Sequence, residues 1–303
     1  MIELEDTTSS QIAQAFVRDR RGAGGPTMGM VLTLVVVVDE DEADQVMEVA
    51  REATRGHPSR VLGIILGQAR GRGRVDAHVG VGRRWGGEAA LIRLRGAVVK
   101  HPESVVLPLL LPDSPVAVWW ASDGPDDPSG DPLGSLATRR LTDLGQKASP
   151  RSTAALRRFR HYQPGDTDLA WTRLTLWRAV LAAVLDQHQV KVTGGRVRSE
   201  AGHPSASLLR AWLADRLKVD IALERSEGPA VTEVVLETAE GDLSISRPDG
   251  GQATLRTPGR PDRTISLRIR DWPELLSEEL RHLDPDEAYA ETVAALVAAE
   301  EES

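Results

Sequence analysis

The first half of the chain alternates between two spacings of hydrophobic residues. The apolar run GMVLTLVVVVDE (29–40) is rich in β-branched residues and predicts a buried strand. From Ala43 to Ala53 the apolar positions recur at helical spacing, which predicts a helix. Further strands are predicted over 60–66, 75–81, 90–96 and a stretch that ends at Trp119–Trp120. Strands interleaved with helices predict an α/β layered N-terminal domain.

The second half of the chain has another pattern. A long apolar helix is predicted from residue 169 on, and Ser205 is placed to cap a second helix. Short strands follow, separated by the hairpin turns AEGD and PDGG, and two amphipathic helices close the chain. This order predicts an α+β C-terminal domain with helices packed on an antiparallel sheet. The expected domains are 1–162 and 163–303.

Composition narrows the classes of function. The 303 residues carry a formal net charge of −8, which disfavours contact with nucleic-acid phosphates outside a segregated basic patch. Cysteine is absent, which excludes disulfides, thiolate metal sites and cysteine nucleophiles. The start of the sequence lacks the basic and apolar blocks of a signal peptide, and no apolar run is long enough to span a bilayer. We therefore expect a soluble, cytoplasmic protein with no membrane partner.

Sequence motifs for catalysis, cofactor binding or metal binding are weak in this chain. GVGRRWG (80–86) misses the spacing of a dinucleotide loop and precedes a predicted strand, where a pyrophosphate site needs a helix N-terminus. Basic clusters at 68–74 and 151–161 lack the interleaved aromatics of a nucleic-acid surface. The seven histidines are scattered without ligand spacing. No catalytic residue, cofactor site or metal site is predicted.

The segment YQPGDTDLAWTRLTLWRAVLAAVLDQ (162–187) is the most distinctive part of the chain. Asp166 or Thr167 is predicted to cap the helix, and Asp168 suits the positive end of the helix dipole. A metal site at Asp166 and Asp168 is a weaker interpretation, because no further ligand follows at a suitable spacing.

Two tryptophan–arginine pairs lie within the same segment. At 100° per residue, Trp171 shares a face with Arg178, and Arg173 shares one with Trp177, so each guanidinium can stack on an indole. These pairs either join the helix to the first domain, as structural contacts, or expose an anchor for another protein.

Four segments, in order along the chain, resemble the OpcA family of glucose-6-phosphate dehydrogenase assembly proteins. They are VVLPLLLPDSPVAVWW, the segment 162–187, LLRAWLADRLKV and DLSISRPDGGQATL. The resemblance implies a non-catalytic effector that binds glucose-6-phosphate dehydrogenase, promotes its active oligomer in the oxidative pentose phosphate pathway, and needs no cofactor. The positions that match the family motifs, and are candidates for contact with the partner, are Pro112, Asp113, Trp119, Trp120, Gly165, Asp166, Thr167, Asp168, Trp171, Arg173, Trp177 and Arg178. Cyanobacterial relatives are associated with redox control, which a chain without cysteine cannot carry through its own thiols.

Two other functions remain open from the sequence. The loop HVGVGRRWGG, with Arg83 and Arg84 beside glycines, favours a module that senses sugar phosphates or nucleotides. The arginines of 151–160 favour association with nucleic acid, which would depend strongly on salt.

Overall fold

The computed structural model describes residues 2–22, 29–82, 87–145, 151–188 and 190–302. The chain forms two compact units. Unit 1 consists of Met1–Asp143, Gln163–Thr167 and Trp272–Pro285, and unit 2 of Leu144–Tyr162, Asp168–Asp271 and Asp286–Ser303.

The helices of the described chain are α1 (Ser9–Gly22), α2 (Ala43–Ala53), α3 (Pro102–Val106), α4 (Arg151–Arg160), α5 (Leu169–Thr172), α6 (Thr175–His188), α7 (Pro204–Leu217), α8 (Trp272–Arg281) and α9 (Glu287–Glu301). The strands are β1 (Ile2–Leu4), β2 (Leu32–Val37), β3 (Ser59–Leu66), β4 (Arg74–Gly82), β5 (Gly87–Arg95), β6 (Val116–Trp120), β7 (Arg139–Thr142), β8 (Asp166–Asp168), β9 (Val192–Ser199), β10 (Ile221–Arg225), β11 (Val231–Thr238), β12 (Leu243–Ser246), β13 (Gln252–Arg256) and β14 (Arg263–Ser266).

The first sheet is mixed and has the strand order β1-β4-β5-β3-β2-β6-β7-β8. Within the run β5-β3-β2-β6-β7 each adjacent pair of strands is parallel, whereas β4 pairs antiparallel with both β1 and β5. The central strand β2 is buried over nearly its whole length, as parallel strands covered on both faces are. Helix α2 buries Ala43, Val46, Ala50 and Ala53, which confirms the predicted helical stripe. This unit has the predicted α/β class.

The second sheet has the order β10-β9-β11-β12-β13-β14 and is mostly antiparallel. One face carries the core, where Val197, Val234, Leu236 and Ile245 are buried. Helices α7 and α9 supply further members of the same hydrophobic cluster, among them Leu209 and Val293. Unit 2 therefore consists of helices packed on a mostly antiparallel sheet.

The prediction of a purely antiparallel second sheet is wrong at one pair of strands. β9 was not predicted, and β10 runs parallel to it, from Ile221 beside Gly195 to Arg225 beside Ser199. A parallel pair needs a long crossover, and α7 lies between the two strands in the chain. The glycines of β9, Gly194 and Gly195, hide the strand because they interrupt its apolar alternation.

The expected domains, 1–162 and 163–303, differ in detail from the two compact units. Residues 144–162, which include α4, belong to unit 2, whereas 163–167 and 272–285 belong to unit 1. The segment 272–285 joins unit 1 because Leu275 and Leu276 of α8 are buried there and α8 packs against α2. Hydrophobic periodicity identifies an amphipathic helix but not the surface that its apolar side covers.

No helix in the described part of the chain combines the length and apolar character that crossing a membrane requires.

Candidate functional site

The adjacent tryptophans at the end of β6 are both buried. Trp119 is fully buried and meets Trp272 edge to face, with the ring centroids 5.6 Å apart. The indole N–H of Trp272 donates to Asp143 at 2.7 Å. Trp120 is 3% exposed and packs in the hydrophobic cluster of unit 1. These two tryptophans therefore pack in the interior of unit 1, and neither ring is exposed.

The turn that precedes β6 is the exposed part of the same motif. Pro112 and Asp113 are exposed, and Asp113 adopts a left-handed backbone conformation with φ of 54°. Aspartate tolerates this conformation better than most residues because its short side chain can bond locally. Leu107, at the end of the preceding helical segment, is 57% exposed and is the most exposed of the large hydrophobic side chains described.

The residues of the second motif that belong to unit 1 form a buried electrostatic cluster around Arg140. Arg140 on β7 donates from Nε to the carboxylate of Asp166 and from Nη2 to the carbonyl of Pro164 at 2.6 Å. Gly165 has φ of 96°, and a Cβ there would collide with the carbonyl oxygen of Thr138. The sharp turn therefore requires glycine.

Burial sets the electrostatics of Asp166. Desolvation raises the pKa of this carboxyl above its usual value, although the hydrogen bond from Arg140 acts in the opposite direction. The second carboxylate oxygen accepts the backbone N–H of Gln163 at 2.8 Å. The hydroxyl of Thr167 donates to the carbonyl of Asp166 at 2.8 Å. Asp166 is thus engaged by the fold itself.

The helix begins at Leu169 as predicted, but the predicted cap was wrong. Residues 166–168 form β8, so Asp166 and Thr167 do not cap the helix. The cap is Asp168, whose side chain accepts the N–H of Ala170 at 2.9 Å. The helix is also divided into α5 and α6, because the segment 173–174 interrupts it. The capping prediction failed because the residues after the turn at Gly165 first form a short strand, and the helix begins only at Leu169.

Asp168 is a fully buried carboxylate in unit 2. Both of its oxygens accept the backbone N–H of Leu144, at 3.2 and 3.1 Å, and the guanidinium of Arg158 lies 3.5 Å away. A buried carboxylate is tolerated when hydrogen bonds and a cation compensate its lost hydration. Asp168 therefore connects α4, the segment after β7 and the start of α5.

Trp171 is held on three sides within unit 2. It is fully buried, and its indole N–H donates to Asp286 at 2.8 Å. The guanidinium of Arg178 lies over its ring, 3.7 Å from the centroid, and Tyr289 packs at 5.7 Å. The predicted stacking of Arg178 on Trp171 is confirmed. The other oxygen of Asp286 caps α9 by accepting the N–H of Tyr289, so Trp171 is joined to that helix start.

Trp177 is stacked by an arginine that the sequence analysis did not identify. Trp177 is 2% exposed, and Arg247 lies over its ring at 5.2 Å from the centroid. Arg247 is itself buried and donates to the carbonyls of Leu267 and Val231. Desolvation lowers the pKa of Arg247 to about 10, and nearby Asp249 opposes the shift. Arg173, the predicted partner of Trp177, is half-buried.

The buried tryptophans favour the structural interpretation of the tryptophan–arginine pairs over the exposed anchor. Arg140, Arg158 and Arg247 complete the buried clusters, yet sequence reasoning missed all three. Each lies far along the chain from its partner or on a different element, and no local spacing signals such a contact. Of the twelve candidate positions, only Pro112 and Asp113 are exposed.

The other sequence candidates have simple structural surroundings where they are described. β4 ends at Gly82 and pairs antiparallel with β5 from Gly87, so the glycine-rich motif leads from strand to strand. Arg83 and Arg84 lie outside the described residues. In the basic cluster 151–161, Arg158 forms an ion pair with the buried Asp168, so at least this arginine contributes to the fold.

Two cavities of unit 2 are lined by residues outside the family motifs. The larger, about 450 Å³, opens on the polar face of the sheet, with Arg198 and Glu233 paired at 2.8 Å in its wall. The smaller, about 150 Å³, lies between the end of α6 and the β13–β14 hairpin. Within the described ranges, no group of three or more histidine, aspartate or glutamate side chains could hold a metal ion.

Two protein-family models match the chain. The model described as the glucose-6-phosphate dehydrogenase subunit N-terminal domain, OpcA type, matches residues 50–161. The corresponding C-terminal domain model matches residues 164–293. The two matches meet close to the expected boundary at 162.

Two solved structures are similar to this chain at low sequence identity. A structure of an oxidoreductase from Sinorhizobium meliloti shares 8% identity with a TM-score of 0.48, covering 90% of this chain and 96% of that one. UDP-N-acetylglucosamine 3-dehydrogenase GnnA from Acidithiobacillus ferrooxidans shares 9% identity with a TM-score of 0.34, covering 89% and 96%. Similarities this weak carry no functional argument. No curated protein matches the sequence significantly.

Proposed function

Because the chain belongs to the OpcA family of glucose-6-phosphate dehydrogenase assembly proteins, we propose that it is a non-catalytic cytoplasmic factor that binds glucose-6-phosphate dehydrogenase and promotes its active oligomer. The observation that carries the proposal is the extent of the family match, which runs from residue 50 to residue 293 with a two-residue gap. The match therefore takes in parts of both compact units.

The state of the buried acids supports a non-catalytic role. Asp166 is engaged by Arg140, and Asp168 by backbone N–H groups and Arg158. General acid–base catalysis needs a carboxylate within reach of a substrate. These carboxylates, in the most distinctive motif of the chain, are instead directed into the fold.

An effector of this kind acts by binding one state of its target more tightly than another. A preference of about 1–3 kcal/mol for the active oligomer changes the equilibrium by roughly five- to 150-fold. No bond has to form or break on the effector. The same preference can lower the apparent KM of the dehydrogenase for its sugar phosphate.

The exposed part of the first motif is the best candidate for direct contact. Leu107, Pro112 and Asp113 are exposed on unit 1, whereas the motif tryptophans are buried. An exposed aliphatic side chain can become the buried anchor of a protein contact. We assign Trp119, Trp120, Trp171 and Trp177 to structure.

Co-elution with the purified dehydrogenase from the same host tests the proposal. We expect a mixture to elute as a larger species than the dehydrogenase alone, and Leu107→Asp to weaken that complex. Val31→Asp, at another exposed hydrophobic residue of unit 1, is the matched control and should leave the complex unchanged. Separate elution of the two wild-type proteins at micromolar concentrations would contradict the proposal.

A further inference from the structure

The smaller cavity of unit 2 has an apolar wall and a cationic rim. Val180 and Val184 of α6 and Leu255 of β13 supply aliphatic surface. His188, Arg260 and Arg263 supply the polar edge. Its volume of about 150 Å³ suits one aliphatic side chain, and is small compared with the cavities of about 300–1,000 Å³ that bind drug-sized ligands.

The two arginines of this rim have no acidic partner among the residues that the structure describes. Both are exposed, and no ion pair forms at either guanidinium within those residues. Asp262 lies between them in the chain but is paired with Arg256 at 2.9 Å. No carboxylate lines the cavity. On a chain with a net charge of −8, this is a local cationic site.

A strand edge adjoins the cavity. β14 is the last strand of its sheet, and Arg263 both opens β14 and lines the cavity, opposite Leu255 in the β13–β14 ladder. Most side chains of β14 are exposed. The outer edge of such a strand presents backbone N–H and C=O groups that an extended peptide can pair with.

We propose that the cavity and the edge of β14 form a docking surface for an extended acidic segment of a protein partner. One aliphatic side chain of the segment enters the cavity, its carboxylates meet Arg260 and Arg263, and its backbone pairs with β14. Charge complementarity selects an acidic segment, since guanidinium groups pair with carboxylates in a planar, bidentate arrangement. The aliphatic wall selects against a sugar, whose hydroxyl groups would lose their hydration there.

This inference rests on the proposed function, since the partner that we assign to the surface is glucose-6-phosphate dehydrogenase. The test measures the Kd of the complex between the full chain and the purified dehydrogenase for wild type and two variants. Arg260→Glu with Arg263→Glu reverses the rim charge, and Ala183→Leu narrows the cavity from its exposed wall. We expect the first variant to raise the Kd about tenfold or more, and the second to raise it severalfold.

The matched control is Arg225→Glu, an exposed arginine on β10 at the opposite edge of the same sheet. It changes net charge without touching the cavity and should leave the Kd within about twofold of wild type. Thermal unfolding of all variants checks that they are folded. For the wild type, raised salt should weaken binding, because the rim contacts are exposed and therefore screened.

The possible results separate the two proposals. If wild type binds and both cavity variants bind equally well, the docking surface is overturned and the proposed function stands. If wild type does not bind the dehydrogenase, both are overturned. A third result would identify the rim as a site for free anions. In that case millimolar inorganic phosphate stabilises wild type against heat but not the rim variant, and the variant leaves the Kd for the dehydrogenase unchanged. That result overturns the docking proposal.

Discussion

Replacing Trp171 tests whether the most distinctive segment of the chain builds the fold or binds a partner. Trp171→Phe keeps an aromatic ring in the buried position but removes the indole N–H. That N–H donates to Asp286 at 2.8 Å, and the guanidinium of Arg178 stacks on the indole at 3.7 Å. The change therefore removes one hydrogen bond to a charged group and weakens one cation–π contact, while most apolar burial is retained.

The expected cost follows from these two contacts. A hydrogen bond to a charged group contributes about 1.5–3 kcal/mol, and a desolvated cation–π contact about 2 kcal/mol with tryptophan, of which phenylalanine retains a part. We expect Trp171→Phe to lower the free energy of unfolding by about 3 kcal/mol. Trp171→Ala should cost more, because replacing a fully buried tryptophan with alanine also opens a cavity, at about 3–5 kcal/mol.

Urea unfolding followed by far-ultraviolet circular dichroism measures the effect. Trp212→Phe is the matched control, because Trp212 is only partly buried and takes no part in a described hydrogen bond or cation–π contact. Its cost should stay below about 1 kcal/mol. The reasoning is refuted if Trp171→Phe unfolds within about 1 kcal/mol of wild type and yet loses affinity for the dehydrogenase, since the ring would then be a docking group.

Three further predictions concern the buried clusters. Gly165→Ala should destabilise the protein by about 1–3 kcal/mol, because the φ of Gly165 is 96° and a Cβ has no room there. Gly202→Ala is the control: its φ is 67° but the space around it is open, so the substitution should cost about 1 kcal/mol. Thermal unfolding of the two variants compares these costs. Arg139→Met should cost about 3–5 kcal/mol because it removes the ion pair to the buried carboxylate of Glu279. The double variant with Glu279→Leu should recover most of the loss, and a double-mutant cycle in urea measures it. A double variant no more stable than Arg139→Met would contradict the explanation. The pKa of Asp166 is raised in the folded state, so as the pH increases the folded protein retains this proton after the unfolded chain has released it. The contribution of Asp166 to stability is therefore present below pH 3.8 and is lost as the pH rises through the folded-state pKa, and over that range wild type should lose stability relative to Asp166→Asn. A carbon-13 titration that places the pKa of Asp166 below 3.8 would contradict this.

Much of the fold follows from local pattern. The strands at 32–37, 59–66 and 116–120 were predictable because a strand buried on both faces is a continuous β-branched or aliphatic run. The stripe of α2 was equally clear from its spacing. β1 and β9 were missed, since β1 has only three residues and β9 contains two adjacent glycines. Which of the two units a segment joins also escaped prediction, because it depends on contacts between distant residues, such as α8 with α2.

The candidate site was predictable in part. The stacking of Arg178 on Trp171 was predicted from their spacing of seven residues, which is close to two helical turns. The stacking on Trp177 was predicted from Arg173, but the guanidinium described there belongs to Arg247, seventy residues further along the chain. Sequence spacing reports neighbours on one element only. Likewise, the tryptophan–arginine pairs left open an exposed anchor for another protein, whereas burial shows that the motif tryptophans build the interior.

The central claim is that this chain changes the activity of glucose-6-phosphate dehydrogenase by binding it. The direct measurement is the initial rate of the purified dehydrogenase at a fixed, subsaturating substrate concentration while this protein is added in increasing amounts. We predict that the rate rises and saturates as the complex forms, and that this protein alone turns over no substrate. A rate that stays flat through a large molar excess, with no complex detected in the same samples, would contradict the account.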